Sequence, residues 1–72
     1  MKLPMLTKLV PDNIKSGREI RMARIKKQMS LKRLAHLLGI APSSLLDLEQ
    51  GKRNWDEDRF AKAQMFIAEY RA

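Results

Sequence analysis

Cysteine is missing altogether from the 72 residues, which excludes disulfides, a cysteine-ligated zinc and a thiol nucleophile, and suits a reducing cytoplasm. One histidine, His36, leaves nothing for a histidine metal site or for a base beside Ser43 and Ser44. No metal, cofactor, small-molecule ligand or enzymatic activity is therefore expected. No run of about 18 uncharged apolar residues occurs, so no membrane-spanning helix is expected either. The opening Met1 to Val10 is basic and partly apolar, but Pro4 and Lys8 interrupt it and no small-residue cleavage site follows; it does not read as a secretion signal. No segment alternates apolar with polar residues, and there is no internal repeat or low-complexity tract, which leaves an all-α domain. A chain this short buries only about 60% of its unfolded surface, so it supports one domain held by packing.

Acidic residues are scarce where basic ones are plentiful. Residues 1–33 carry ten lysines and arginines against Asp12 and Glu19, a net of +8, whereas residues 34–72 carry five against six acidic side chains, a net of −1. The total of +7 attracts polyanions such as nucleic acid, acidic proteins or anionic membranes. Its location matters more, because the positive charge falls on the first helix and its lead-in.

The helical period divides the chain into a 1–13 extension and a single 14–72 domain. Residues 14–28 are expected as a helix capped by Asp12 or Asn13, with Ile20 and Ala23 inward and Arg18, Arg21, Arg24, Lys26 and Lys27 forming a basic outer face. That face reads equally as solvated charge or as a binding surface. Ser30 is placed to cap a helix over 31–38, with Met29 and Leu34 at the spacing of a hydrophobic staple, and Gly39 stops it. A third helix starts at Pro42, where the missing N–H costs nothing, with Ile40 and Leu45 as its staple and Ala41 as a weak cap. Gly51 ends it after Gln50. The last helix starts at Asp56, with Trp55 and Phe60 as a third staple and Glu57 and Asp58 suiting the positive end of the dipole, and runs to about Tyr70. Its core stripe is Phe60, Ala63, Ile67 and Tyr70; apolar Met65, Phe66 and Ala68 lie elsewhere, to be covered by Leu3, Met5, Leu6, Leu9 and Val10 or by a second copy.

Two short helices joined by a tight glycine turn over residues 30–51 form a helix-turn-helix, with Leu34, Ala35, Leu38, Ile40, Leu45 and Leu48 as the core of the crossing. In Ile20-Arg21, Arg24, Met29-Ser30, Leu34-Ala35, Leu38-Gly39-Ile40, Leu45, Leu48-Glu49 and Gly51-Lys52-Arg53-Asn54 the chain resembles the Cro/C1-type (XRE-like) helix-turn-helix family over roughly residues 17–67. The resemblance implies a compact four- to five-helix bundle of the phage-repressor type and a structural ion pair between Arg24 and Glu49. It also places the family's phosphate-contacting positions at Leu31 and Gln50, and its groove positions at Pro42, Ser43, Leu46 and Asp47.

Most of those positions hold the wrong chemistry for DNA. Phosphates and base edges need N–H or O–H donors. Leu31, Pro42 and Leu46 offer none from their side chains, and Asp47 would repel phosphate. Leu31, Pro42, Leu46 and Leu37 are instead expected as an apolar patch ringed by Lys32, Arg33, Lys52 and Arg53, the anatomy of a protein contact. Lys32 and Arg33 also sit in the first turn of their helix, against the macrodipole, which points to an anionic partner. The partner or DNA face is accordingly Leu31, Lys32, Arg33, Pro42, Ser43, Leu46, Asp47, Gln50, Lys52 and Arg53. In size and in this altered face the chain is similar to the small modulator-of-repression, or antirepressor, proteins in the genetic switches of temperate phages. That similarity implies a transcriptional regulator in the cytoplasm of a bacterial host cell, binding the DNA-binding domain of a cognate repressor, with weak contact to double-stranded DNA. The alternatives are a Cro-like dimeric operator-binding repressor and, less favoured, an antitoxin.

Overall fold

The computed structural model describes residues 9–71. Among them four helices follow in chain order: α1 (Asn13–Lys26), α2 (Leu31–Leu38), α3 (Pro42–Glu49) and α4 (Glu57–Glu69). Three of the four starts use a side-chain oxygen to satisfy an orphan N–H. The Asp12 carboxylate accepts from the Lys15 N–H at 3.1 Å, the Ser30 hydroxyl from Arg33 at 3.0 Å, and the Asp56 carboxylate from Arg59 at 2.6 Å. Helix α3 relies on Pro42 alone, since Ala41 makes no side-chain cap bond.

The first three helices end in one way, with a left-handed residue whose successor donates back across the last turn. Gln28 (φ 59), Gly39 (φ 72) and Gly51 (φ 82) hold that position. The returning bonds are Met29 N–H to Arg24 at 3.0 Å, Ile40 N–H to Ala35 at 3.0 Å and Lys52 N–H to Asp47 at 2.9 Å. The first helix, expected through residue 28, thus closes at Lys26 because Gln28 takes a conformation usually left to glycine.

The core gathers Ile20, Met29, Leu34, Ala35, Leu45, Leu48, Trp55, Ala63 and Ile67. Fully burying a large apolar side chain contributes about 1.5–3 kcal/mol, so these residues supply most of what holds so small a domain. Helix α3 packs on both α1 and α2, and α4 closes the bundle against α2 and α1. Both residues of the Met29–Leu34 pair are buried, and the Trp55 and Phe60 rings meet edge to face with centroids 5.6 Å apart. The Lys27 ammonium donates to the Ala68 and Tyr70 carbonyls at 3.0 and 3.5 Å, placing positive charge at the negative end of α4.

Three expectations change. Ala23 is exposed on the rim of a shallow groove between α1 and α4 rather than turned inward with Ile20. The packed body begins before residue 14: the Val10 N–H donates to the Trp55 carbonyl at 2.8 Å, Val10 packs on the core, and Asn13 already belongs to α1. Val10 therefore folds back at the start of α4, while Leu9 stays exposed; Leu3, Met5 and Leu6 lie outside the described residues. On α4, Phe66 joins Phe60, Ala63, Ile67 and Tyr70 in packing, whereas Met65 and Ala68 face solvent.

Candidate functional site

The site is built on the contact between α1 and α3. Glycine in a helix interior costs about 1 kcal/mol relative to alanine, and Gly17 is kept there because a Cβ would lie 2.7 Å from the Glu49 carbonyl oxygen and closer still to that of Leu48. The two helices therefore meet backbone to backbone. One and two turns further along α1, the inward face holds Ile20 and Arg24. The Arg24 guanidinium donates to both Glu49 carboxylate oxygens, at 2.8 and 3.0 Å, and to the Met29 carbonyl at 2.8 Å. The Glu49 side chain is fully buried and that of Arg24 is 13% exposed. Such a shielded fork is architectural: it joins the end of α1, the turn before α2 and the end of α3, and neither charge is free for a ligand.

The N-terminal end of α1 leans on the end of α3 in the same way. The Asn13 side-chain amide donates to the Gly51 carbonyl, and a Cβ on Gly51 would approach Ile14 Cγ1 to 2.8 Å. This seating leaves a depression of about 350 Å³ between the helices, lined by Ile14, Arg18, Arg21, Leu46, Glu49 and Gln50. Leu46 is 41% exposed and Ile14 59%, so each wall carries one apolar side chain open to solvent among the polar Arg18, Arg21 and Gln50.

The ten residues expected on the partner face divide in the structure. Pro42, Ser43, Leu46 and Gln50 are exposed along the outer side of α3; Lys32, Arg33, Lys52 and Arg53 are exposed around it. Asp47 is half-buried and lies 3.5 Å from Arg53, so these two pair with each other at the edge of the outer face. Leu31 departs from expectation, since it packs half-buried on the core and contributes little to an exposed patch. Leu46 finds its apolar neighbour in Ile14 of α1 instead.

Residues 20–63 match the profile of a helix-turn-helix family, more than half of the chain. The chain belongs to the Cro/C1-type helix-turn-helix family. This is a family of DNA-binding transcription regulators, and in this regulator α2 and α3 are the two helices of the motif. No curated protein matches the chain. Among the described residues no helix is long and apolar enough to cross a membrane.

Sequence reasoning missed Gly17, Asn13 and Ile14 as parts of the regulator's α1–α3 seam. A glycine inside a helical pattern signals close packing, so Gly17 could have been found. Ile14 could have been noticed from its place one turn before Arg18 and two before Arg21, though which helix faces that stripe is not a local property.

Proposed function

We propose that this regulator acts by binding a protein, the DNA-binding domain of a cognate repressor, through the outer face of α3, and so modulates repression in a genetic switch of the temperate-phage kind. One observation carries the reading: the exposed side of the second motif helix presents Pro42 and Leu46, with Asp47 tied to Arg53. A helix that inserts into a major groove gains from donors at these places and loses from a leucine and a carboxylate. A protein surface gains from the leucine and tolerates the neutralised aspartate.

The test is co-purification with the repressor of its source cell, with and without nuclease. Capture that survives nuclease and is lost in Pro42→Asp supports the reading. Capture that Pro42→Asp leaves intact, or that disappears with nuclease, sinks it. Membership of a DNA-binding family, with Ser43, Gln50, Lys32, Arg33 and Lys52 exposed as donors, favours a second reading as a dimeric operator-binding repressor. That reading requires sequence-specific mobility shifts with a steep salt dependence.

A further inference from the structure

We infer that the depression between α1 and α3 is a receptor notch for one apolar side chain of a protein partner flanked by carboxylates, with Ile14 and Leu46 gripping the apolar group and Arg18 and Arg21 pairing with the acids. This deepens the reading above, on which it rests in taking the partner to be a protein, and it moves half of the interface onto α1.

Size, polarity and charge all point the same way. A volume of about 350 Å³ is at the small end of the roughly 300–1,000 Å³ range of ligand clefts, which fits a side chain rather than an extended strand of nucleic acid. Apolar groups stand on both walls, Ile14 from one helix and Leu46 from the other. The only carboxylate lining the notch, Glu49, is consumed by Arg24, and Arg18 and Arg21 have no acidic partner among the described residues. The notch thus has two unpaired cations and no available anion. Ile14, Arg18, Arg21 and Ile25 follow one another along one stripe of α1, so the cations sit between apolar positions as they do at the rim of a protein contact. Phosphate would satisfy Arg18 and Arg21 but would leave Ile14 and Leu46 in water.

The inference is tested by NMR titration of the labelled full-length chain with a short synthetic peptide carrying one leucine between pairs of glutamates. Shifts concentrated at Ile14, Arg18, Arg21, Leu46 and Gln50 are expected. Replacing the peptide leucine with alanine, or its glutamates with glutamines, should weaken binding at least about tenfold. The Arg18→Glu/Arg21→Glu variant, with both changes at exposed positions, should fold normally by circular dichroism and prefer a lysine-flanked leucine peptide. A titration that shifts other residues or none overturns the inference. So does a DNA duplex that shifts these residues when the acidic peptide does not. Repressor capture lost in Pro42→Asp but unchanged in Arg18→Glu/Arg21→Glu overturns the notch and leaves the α3 reading standing. A peptide that binds the notch while no repressor is captured does the reverse.

Discussion

Along α3 the inward and outward faces hold their residues by different means. Leu45, Leu48 and Glu49 on the inward face are buried, and each is fixed by neighbours from another helix: the core around Leu45 and Leu48, and the Arg24 fork and the bare backbone of Gly17 around Glu49. Pro42, Ser43, Leu46 and Gln50 on the outward face are exposed, and Asp47 beside them has only Arg53. The inward residues build the seam with α1 and the core, and the outward ones are left to solvent. One eight-residue helix therefore carries a constraint on folding and a freedom of function side by side, and the two can be altered separately.

The largest effect should come from the inward face. Glu49→Ala leaves Arg24 buried without its partner, which typically costs about 3–5 kcal/mol. For a domain of this size that is a loss of more than about 10 °C in Tm by thermal melting, at about 4–8 °C per kcal/mol. Replacing Arg24 and Glu49 together by methionine and leucine should recover most of it, and if the double variant is as unstable as the single one, the pair is not the source of the loss. Next in size, Gly17→Ala forces a methyl against the Leu48–Glu49 backbone and should cost about 1–3 kcal/mol in chemical denaturation. An unchanged midpoint would mean that the seam is looser than its geometry.

Gln28 offers a change outside both faces. Gln28→Gly relieves the left-handed strain at the end of α1 and should raise stability by about 1 kcal/mol while leaving partner binding as it was. If binding rose with stability, the two faces would be coupled after all. The smallest effect belongs to the outward pair: Asp47→Ala should change stability by no more than about 0.5 kcal/mol, because the pair lies at the surface, where solvent and salt screen it. Its consequence is to free Arg53, so non-specific affinity for DNA should increase and fall again with added salt.

The signals that proved legible were local. Asp12, Ser30 and Asp56 as caps, Gly39 and Gly51 as stops, and the apolar pairs around α2 and α4 all lie within a few residues of the groups they serve. The end of α1 was not legible, since the turn at Gln28 is fixed by the burial of Met29 in a core built from the other helices. Leu31 looked like part of an outer patch from its family position, but the core reaches it. The notch was invisible in the sequence because its walls, Ile14 and Leu46, belong to helices far apart in the chain, and only the seating of α1 on α3 brings them together.

Periodicity, caps and glycine stops were enough to specify four helices, the helix-turn-helix and the uneven spread of charge, because each acts over about one helical turn or is a matter of composition. The tertiary structure decided which charges remain available. It buried Glu49 with Arg24, set Asp47 against Arg53 and left Arg18 and Arg21 lining a notch with Ile14 and Leu46. The reason is steric: two helices can approach this closely only where one lacks a Cβ, so Gly17 fixes which faces of α1 and α3 meet and hence which side chains are left to bind.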